Sequence, residues 1–577
     1  MVMAINSQPK TTVSEYIVEQ LINSGVNHVF GYTGANITYL IDAISSYDGI
    51  EYVQAYHEQG AAFAANGYAQ AAGTLGVAIA SSGPGALNLV TGIANAYCDS
   101  IATLYICGDL SRRYQKNTLP LRQDGFQSID IVSVVEPITK FAEVVRSPDD
   151  IRYCIERAIY EASSGRRGPA LLSIPHWIQH AEIDPTVLSP FVVSPLKSAS
   201  LDEFISEEIL ETLSRSRRPL ILLGGGGANS ETDVAMKRFL GCNPLPAVAS
   251  LCGLNVLSHE HQSYVGFIGD YGHRHANIAL AASDCLIVLG SRMDERQFGF
   301  LKDYRENKSI IHVDIDRSEF LPKSERYFPV LGLVSDFLNR LCNVSLEFPS
   351  LVEWNRELHH LKEHYPVHTT VDCLSPASFL LELFIQLAPD TQAFVDVGLH
   401  QMCTAQFGML THGKKLYFSG GLGSMGYSLP AAIGGHLARL GRQTICITGD
   451  GGLMMSLPEL QTLARDRLDV KIIVFNNQCL GMVRNHQQAM LDGRTFGSVD
   501  GYLAGDFKKI SSAFDIKYCR IRDLNDLKLL DEILHTPGPS LIEVLFPHDM
   551  TPFPSSVNYP LEGDVCSLQD LTSDGDN

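Results

Sequence analysis

The sequence predicts an α/β protein made of three domains, each built around a doubly wound parallel sheet. Short apolar runs rich in β-branched residues alternate with helical stretches along the chain, and strands that alternate with helices form parallel sheets covered on both faces. The chain has 577 residues, which is too long for a single hydrophobic core. Its 45% hydrophobic and 19% charged residues are typical of a globular protein.

The charge and the cysteines exclude several functional classes. A net charge of −20 argues against binding to nucleic acid or anionic membranes, because both require basic patches. No apolar run reaches the roughly 18 residues needed to cross a bilayer, and the start, MVMAINSQPK, lacks the apolar core of a signal peptide. The 13 cysteines form no C-x-x-C pair, which indicates reduced thiols. We therefore expect a soluble cytoplasmic protein.

The first domain is predicted over residues 11–183. Helical stretches cover 58–72 and 86–98, and the strand candidates are NHVFGY, EYVQAY, GVAIAS, TLYICG and ALLSI. A joint rich in Pro and Ser over 182–200 follows, and it predicts an extended linker.

The other two domains are predicted over 200–345 and 365–548. The central domain carries the buried-strand patterns PLILLGGGG, DCLIVLGS and SIIHVDID. The third domain carries AFVDVG, TICITGDGG, VKIIVFNN and PSLIEVLF. Residues 549–577 form an acidic, polar tail that we expect to lie outside the packed domains.

Two oxygen ligands for a metal ion follow neighbouring strand candidates of the third domain. Asp450 ends the run TICITGD, and Asn477 ends the run VKIIVFNN. Mg²⁺ takes a few protein oxygens and shares the rest of its shell with water and phosphates. Asp450, the side-chain oxygen of Asn477 and the backbone carbonyl of Cys479 provide such a set. The alternative is two ordinary strand-ending turns, since Gly and Asn are common turn residues.

A carboxylate and a glycine-rich turn mark the first domain. Glu58 begins an Ala-rich helix directly after a strand, and SSGPGALN at 81–88 is a turn between strand and helix of the kind that binds anions. Ligands gather beyond the carboxyl ends of parallel strands, so the two segments together indicate a site. The alternative for Glu58 alone is a favourable interaction with the helix dipole.

Taken together, these blocks resemble the thiamine-diphosphate enzymes, and most closely the acetolactate synthases. The resemblance covers about residues 11–545. The blocks that carry it are HEQGAAFAANGYA, SGPGALN, DVGLHQM, SGGLGSMGYSLPAAIGG and GDG followed by NN, in that order.

The resemblance implies a mechanism and a set of cofactor contacts. In this family the glutamate matched by Glu58 bonds a ring nitrogen of the cofactor's aminopyrimidine and so promotes removal of the thiazolium proton. Met425 matches the apolar residue that bends the cofactor, although outside this motif it would be read as a core methionine. In this family the active sites lie between subunits, so the resemblance implies a homodimer or homotetramer. The implied cofactor contacts are Gly34, Pro84, Gly398, His400, Gln401, Gly423, Met425, Gly449, Gly451 and Met482.

The central block resembles the FAD-binding domain of the acetolactate synthases, in which the flavin is structural. No G-x-G-x-x-G fingerprint opens a helix here, so FAD binding is implied by the resemblance alone. The alternative is a domain whose glycines only end strands. The residues matched to the flavin site are Arg166, Gly225, Gly226, Arg292, Asp294 and Asp314.

The acceptor pocket both keeps and departs from the family pattern. Phe126 and Gln127 match residues near the acceptor carbonyl, and Arg296 matches an arginine that binds an acceptor carboxylate, although it would otherwise be a surface or flavin residue. His486 replaces a tryptophan of the acceptor site, and we include it among the candidate catalytic residues. Its alternative is a pocket histidine without a catalytic part. Further departures are Asp270 and Tyr271 for Met-His, Cys403 for a tryptophan and His176 for a lysine.

The function implied is a carboligase that decarboxylates pyruvate and transfers the two remaining carbons to a second carbonyl. The polar replacements favour a hydroxylated ketone, such as a nucleotide-linked ketosugar, over a small 2-keto acid, because polar pockets discriminate on hydrogen bonds. The alternatives are an oxidase or simple decarboxylase of the same fold, and a non-catalytic cofactor-binding protein.

Overall fold

Three parallel six-stranded sheets form the frame of the molecule. The computed structural model describes residues 10–110, 122–123, 125–193, 205–299, 308–321, 325–367 and 373–552. From residue 553 onward the predicted acidic tail lies outside the described residues, and so do residues 194–204, which include the end of the linker predicted over 182–200. None of the helices in these ranges combines the length and apolar character needed to cross a membrane.

The first domain contains one six-stranded sheet and a short two-stranded antiparallel ladder that joins its two ends. The ladder pairs Thr11 with Ile183. The strands are β1 Thr11–Thr12, β2 His28–Gly31, β3 Glu51–Gln54, β4 Gly76–Ala80, β5 Thr103–Asp109, β6 Phe141–Val144, β7 Pro169–Pro175 and β8 Glu182–Ile183. The helices are α1 Val13–Asn23, α2 Thr38–Ser45, α3 Glu58–Ala72, α4 Pro84–Asn88, α5 Val90–Cys98, α6 Ile131–Val135, α7 Ile151–Ser163 and α8 His176–Gln179.

One predicted helix of this domain is interrupted. The stretch 86–98 is divided between α4 and α5 at Leu89. The Leu89 N–H bonds the carbonyl of Ala86 at 3.2 Å, and such a three-residue bond tightens the turn at which one helix ends. The helix predicted over 58–72 is confirmed as α3.

The central domain has the strand order β11-β10-β9-β12-β13-β14. In chain order this is 3-2-1-4-5-6, the doubly wound arrangement common to dinucleotide-binding domains. The strands are β9 Pro219–Leu223, β10 Ala247–Ala249, β11 Tyr264–Phe267, β12 Cys285–Leu289, β13 Ser309–Asp314 and β14 Tyr327–Leu331. The helices are α9 Glu207–Arg215, α10 Ser230–Cys242, α11 Arg274–Ala282, α12 Glu295–Phe298, α13 Val334–Leu341 and α14 Leu351–His364.

The third domain repeats the topology of the first. Its order β16-β15-β17-β18-β20-β19 and the first domain's order β3-β2-β4-β5-β7-β6 are both 2-1-3-4-6-5 in chain order. The strands are β15 Gln392–Val395, β16 Lys415–Phe418, β17 Thr444–Gly449, β18 Val470–Asn476, β19 Lys517–Ile521 and β20 Ser540–Leu545. The helices are α15 Pro376–Gln386, α16 Leu399–Phe407, α17 Ser428–Ala438, α18 Asp450–Met455, α19 Glu459–Asp466, α20 Gly481–Met490, α21 Phe507–Ala513 and α22 Leu529–His535.

The first and third domains meet through α3 and α17 with very little space between their backbones. A Cβ added at Gly67 would lie 2.1 Å from the carbonyl oxygen of Ala431, and one added at Gly434 would lie 1.8 Å from that of Ala64. Both distances are far below van der Waals contact. Glycine is therefore required at both positions for the helices to approach this closely.

Each sheet has one point where the strand order reverses and two strands leave in opposite directions. These points lie between β2 and β4, between β9 and β12, and between β15 and β17. Ligands of open parallel sheets bind at this position, beyond the carboxyl ends of the strands. The sheet topology therefore directs attention to the residues that follow these six strands.

Candidate active site

The anion-binding half of the site lies where β15 and β17 diverge. Gly398 precedes α16, whose first turn contains His400 and Gln401, and Gly449 ends β17. A Cβ at Gly398 would lie 2.6 Å from His400 Cε1, and a Cβ at Gly449 would lie 3.0 Å from the same atom. The imidazole therefore lies across both strand ends, and glycine leaves room for it.

Buried polar atoms with unused bonding capacity converge here. His400 Nε2, both amide atoms of Gln401 and Asp450 Oδ2 are buried and have no hydrogen-bond partner among the described residues. Burial lowers the pKa of His400 to about 3, so the ring is neutral. Buried polar groups are normally paired. The Gln401 amide nitrogen beside the N-terminus of α16 can donate to an anion such as a diphosphate, whereas Gln401 Oε1 and Asp450 Oδ2 are acceptors that fit a donor or a cation.

Asp450 begins α18 directly after β17 and is 2% exposed. Its Oδ1 accepts hydrogen bonds from the Gly451 N–H at 2.7 Å and the Tyr502 hydroxyl at 3.2 Å. Burial raises the pKa of Asp450 to about 6, while nearby donors, including the backbone N–H groups of Gln478 and Cys479, act to lower it. The end of β17 and the loop after β18 therefore meet at this carboxylate.

Of the two adjacent asparagines, Asn476 is the one whose side chain forms hydrogen bonds within the described core. Its side chain donates to Glu543 at 2.6 Å and accepts from the Gln478 N–H at 3.1 Å. Asn477 is 5% exposed, and its amide nitrogen lies 3.1 Å from where a Cβ on Gly481 would be. The Cys479 thiol points to the carbonyl of His548 at 3.5 Å, so any contact of Cys479 with a metal would use its backbone oxygen. The carboxylate, amide and carbonyl oxygens fit Mg²⁺.

A buried carboxylate that the sequence analysis did not single out holds this half together. Asp396 is fully buried at the end of β15 and accepts hydrogen bonds from the Val397 and Gly426 N–H groups and from the Ser428 and Thr448 hydroxyls. Burial raises its pKa to about 6. These bonds join the ends of β15 and β17 to the loop that carries Met425.

Met425 lies next to the carboxylate site. Its Cε is 3.6 Å from where a Cβ on Gly451 would lie. Two glycines in the left-handed region, Gly423 with φ 71° and Gly426 with φ 78°, shape the loop around it. Met482 is half-buried in the first turn of α20, the helix that follows Asn477.

The other half of the site lies in the first domain, where β2 and β4 diverge. Glu58 is 9% exposed and accepts a hydrogen bond from the Asn88 amide at 2.9 Å. Its Oε1 lies 3.0 Å from where a Cβ on Gly85 would be, so it packs directly against the turn that contains Pro84. At the end of β2, Gly34 leaves room for Ser81, whose Cβ is 2.5 Å from the added Cβ.

Phe126 and Gln127 lie at the same edge of the first-domain sheet. A Cβ at Gly83 would lie 2.6 Å from the Gln127 carbonyl oxygen, and Gln127 itself has φ 58° in the left-handed region. Phe126 is 81% exposed. The structure thus brings Glu58, the glycine turn and Gln127 together, as the resemblance implied.

Arg296 and the loop containing Asp270 lie beside α16. Arg296 Nη2 is 3.7 Å from the Met402 sulfur, and the Asp270 N–H donates to the Arg296 carbonyl at 3.1 Å. Burial raises the pKa of Asp270, while the charge of Arg296 lowers it. His486 is exposed on α20, and in the described part of the chain no hydrogen bond or ion pair joins it to Arg296.

Glu58 has no direct polar contact with the third-domain residues of the site among the described residues. No hydrogen bond or ion pair between described residues joins Glu58 to Asp450, His400 or Gln401. The contact that does link their domains at this edge runs from Glu459 to the backbone of Tyr56 and His57.

In the central domain, glycines after β9 and β12 meet at the switch point. A Cβ at Gly224 would lie 2.1 Å from the Gly290 carbonyl oxygen, and one at Gly226 would lie 3.0 Å from Gly290 Cα. Gly225 forms the next position of the same turn. This crowding means that glycine is needed at these positions for the two strand ends to pack, whether or not a ligand binds. The position of the turn in a 3-2-1-4-5-6 sheet also fits a dinucleotide.

The remaining residues matched to a flavin site are engaged with protein groups. Arg166 forms ion pairs with Asp316, at 2.9 Å, and with Glu319. Asp314, at the end of β13, accepts from the Asp316 N–H at 2.9 Å, and burial raises its pKa. Arg292 pairs with Asp294 at 3.5 Å. A bound phosphate would have to replace one of the two carboxylates at Arg166, whereas Asp314 has an oxygen available for a ribose hydroxyl.

Comparison with known proteins gives one family across the chain. Residues 11–134, 206–341 and 396–544 match the N-terminal, central and C-terminal domains of thiamine pyrophosphate enzymes. An acetolactate synthase large subunit of Porphyra purpurea is 33% identical over 541 residues, covering 91% of this chain and 90% of that protein. The isozyme 2 large subunit of Escherichia coli K12 is 34% identical, covering 92% and 95%. A Lactococcus lactis large subunit is 33% identical, covering 94% and 93%.

Proposed function

This chain belongs to the thiamine pyrophosphate enzyme family, and from that premise we propose that it decarboxylates pyruvate and joins the two remaining carbons to the carbonyl carbon of a second substrate. It is an acetolactate synthase-like enzyme that forms carbon–carbon bonds with this cofactor. The observation that carries the proposal is the convergence of unpartnered buried polar atoms on His400, Gln401 and Asp450. When bound, thiamine diphosphate supplies a nucleophilic carbon and an electron sink.

The third domain holds the diphosphate end of the cofactor. His400, Gln401 and the N-terminus of α16 bond the phosphate oxygens, and Gly398, Gly449 and Gly451 give them access to the backbone. Asp450, Asn477 and the Cys479 carbonyl hold Mg²⁺ against the same phosphates. Met425 supports the bent cofactor, and Gly423 and Met482 line the same side.

Glu58 holds the proton-transfer position at the cofactor's pyrimidine ring, with Gly34 and Pro84 lining that ring. Its anchorage by Asn88 at 2.9 Å supports this role, because a carboxylate that must meet one ring nitrogen needs a defined position. The lack of a polar contact between Glu58 and Asp450 among the described residues supports a homodimer or a homotetramer, in which the first domain of one subunit completes the site of its partner.

The acceptor binds beside α16, between Arg296, Phe126 and Gln127. The acceptor is a 2-keto acid or a larger polar ketone such as a nucleotide-linked ketosugar. The charge of Arg296 acts to lower the pKa of Asp270, and this interaction supports the second class, since a carboxylate that interacts with the arginine disfavours a second, substrate carboxylate. His486 contacts the acceptor from α20.

FAD binds in the central domain as a structural cofactor. The 3-2-1-4-5-6 sheet with its glycine turn at Gly225 and Gly226 supports this. Asp314 holds a ribose hydroxyl, and Arg166, Arg292 and Asp294 lie toward the phosphates.

The proposal also includes the domain limits and the cellular location of the protein. The three domains extend over 11–183, 200–345 and 365–548, followed by the tail, and α14 at Leu351–His364 packs on the central domain beyond the limit of 345. The cysteines of the described residues are free thiols and several are buried, among them Cys107 and Cys446, which supports a reducing, cytoplasmic compartment.

One experiment tests the function directly. The purified protein with thiamine diphosphate and Mg²⁺ is incubated with [2-¹³C]pyruvate, alone and with hydroxylated ketones or 2-keto acids, and the products are identified by NMR. We expect carbon dioxide and a product with a new carbon–carbon bond. Acetate or acetaldehyde as the only products would replace the proposal with an oxidase or a simple decarboxylase. The flavin absorbance of the purified protein tests FAD separately.

A further inference from the structure

A carboxylate from the third domain lies at the backbone that leads into Glu58. Glu459 is the first residue of α19 and is 2% exposed. Its Oε1 accepts hydrogen bonds from the Tyr56 N–H at 3.1 Å and from the His57 N–H at 3.2 Å, across 403 and 402 residues of sequence. The two donors are the residues immediately before Glu58.

The fit around this carboxylate is close. A Cβ added at Gly60 would lie 2.3 Å from Glu459 Oε1, so no larger residue can occupy position 60 without displacing the carboxylate. The Thr462 hydroxyl donates to Glu459 Oε2 at 2.8 Å and lies 3.4 Å from the Gln54 carbonyl. One face of α19 therefore holds the backbone of residues 54–57.

Burial raises the pKa of the Glu459 carboxyl, whereas its hydrogen bonds from Thr462, Tyr56 and His57 act to lower it. The N–H groups of Tyr56 and His57 lie directly before α3, and the N-terminus of a helix attracts negative charge. Hydrogen bonds to an ionised acceptor are also stronger than bonds between neutral groups. The buried charge is thus compensated by three donors: two backbone N–H groups and the Thr462 hydroxyl.

Glu58 is consequently held from two sides. Asn88 of the first domain bonds its side chain at 2.9 Å, and Glu459 of the third domain bonds the two residues that precede it. The segment that begins at Asp450 continues through α18 and three residues into α19. The metal-binding carboxylate and the group that orients the start of α3 therefore belong to one short stretch of chain.

We propose that Glu459 is a positioning residue for Glu58: it fixes the backbone before α3 so that the Glu58 carboxylate meets the cofactor's pyrimidine nitrogen. This inference rests on the proposed function. Proton transfer requires hydrogen-bond geometry, and a displacement of about 1 Å in a reacting group can cost about 10²-fold in rate.

The test measures the step that Glu58 serves. In the holoenzyme with Mg²⁺, the rate of deuterium exchange at the cofactor's thiazolium C2 is followed by quenched-flow NMR, with the cofactor Kd and the Tm of each variant. We expect Glu459→Ala to slow exchange by about tenfold or more with an unchanged cofactor Kd. Glu459→Gln, which keeps an acceptor oxygen, should recover most of the rate. Gly60→Ala, which inserts a methyl group beside Glu459 Oε1, should slow exchange without removing the carboxylate and replaces Glu459→Ala if that variant does not fold.

Two results would overturn the proposal. One is a wild-type exchange rate in Glu459→Ala and Gly60→Ala. The other is slower exchange that is accompanied by an equal loss of cofactor affinity, because that indicates a general structural role. Glu58→Gln separates the two levels of inference. Wild-type exchange in Glu58→Gln would refute the proposed role of Glu58 itself, whereas slow exchange there with normal exchange in the Glu459 variants would refute only the positioning role.

Discussion

The Tyr502 hydroxyl and the Gly451 N–H both bind Asp450 Oδ1, at 3.2 Å and 2.7 Å, and leave Asp450 Oδ2 without a protein partner among the described residues. One oxygen of the carboxylate is thus used to orient the group, and the other is available to a metal ion. A carboxylate with one oxygen held by the protein and the other unpaired is oriented to bind a metal ion. A carboxylate that only ends a strand has no such arrangement.

Removing this ligand should abolish Mg²⁺-dependent cofactor binding. A ligand present at 100 times its Kd stabilises a protein by about 2.7 kcal/mol, so thiamine diphosphate with Mg²⁺ should raise the Tm of the wild-type protein by several degrees. We expect Asp450→Ala to lose this shift. Tyr502→Phe, which removes only an orienting bond, should retain it at higher cofactor concentration. A normal shift in Asp450→Ala would assign the metal to other residues.

Glu58→Gln should reduce pyruvate turnover by about 10²–10⁴-fold, the usual effect of removing a group that transfers a proton. The substitution keeps the shape of the side chain and an acceptor for the Asn88 amide, so Tm and cofactor affinity should stay close to wild type. Glu51→Gln is the matched control, since the Glu51 side chain is 80% exposed in the same domain. Carbon dioxide release from pyruvate provides the measurement. Full activity in Glu58→Gln is incompatible with the assigned role.

His486→Trp should shift acceptor use toward 2-keto acids, because a large apolar side chain narrows the pocket and removes a hydrogen-bonding group. Products from an equimolar mixture of a 2-keto acid and a hydroxylated ketone are quantified by NMR. Gln488→Trp adds the same bulk at an exposed position two residues farther along α20. Equal product ratios in the two variants would remove His486 from the acceptor site.

Acid should destabilise the contact between the central and third domains through His273. Its Nδ1 accepts from the Phe267 N–H at 3.2 Å and its Nε2 donates to the Gln406 carbonyl at 2.8 Å, which requires a neutral ring. Burial lowers the pKa of His273 from 6.5 to about 3, and the nearby His259, His275 and Lys362 supply only positive charge when they ionise.

The sign of the pH effect follows from that pKa. Below pH 6.5 the unfolded chain binds a proton that the folded chain does not accept until about pH 3. The free energy of unfolding therefore falls as the pH drops through this window, by at most about 1.4 kcal/mol per pH unit for one histidine. Urea unfolding at several pH values should show a slope about one proton smaller for His273→Gln than for the wild-type protein. An identical slope in wild type and His273→Gln would contradict the assignment.

Gly67→Ala should lower the free energy of unfolding. Its new methyl group would meet the Ala431 carbonyl at 2.1 Å, and overpacking of this kind costs about 1–3 kcal/mol. Gly241→Ala is the control, because that glycine lies in α10 with no atom within 4 Å of the added Cβ, and alanine is favoured over glycine in a helix by about 1 kcal/mol. Thermal unfolding of both variants should show opposite shifts in Tm. A stable Gly67→Ala would indicate that α3 and α17 can separate.

The central strands of each sheet were predictable from the sequence, whereas most edge strands were not. Runs such as PLILL and TICIT are buried on both faces and read as continuous apolar segments. Within the three six-stranded sheets, the strands that the sequence analysis did not name are β6, β10, β11, β14, β16 and β19, and all except β10 lie at a sheet edge. An edge strand such as β19, KYCRI, is only partly buried, so its pattern resembles that of a loop.

The site residues also divide into those that the sequence predicted and those that it did not. Glu58, Asp450 and Asn477 follow strands within recognisable blocks, and the structure places them at strand ends. Asp396, Glu459 and Asn88 were missed because their roles depend on partners elsewhere in the fold. The hydrogen bond from Tyr56 to Glu459 joins residues that are 403 apart in the sequence, so no local sequence pattern could indicate it. The ligation and catalytic roles of the site residues, and the domain limits, stay predictions.

The glycine contacts between α3 and α17 have a mechanical consequence. Where two backbones touch, there are no long side chains whose rotamers could absorb a sliding or hinging movement, and close-packed interiors transmit displacement. We therefore expect the first and third domains of one chain to move together as one rigid body. Access of a substrate to the site would then depend on movement of the loops at its rim.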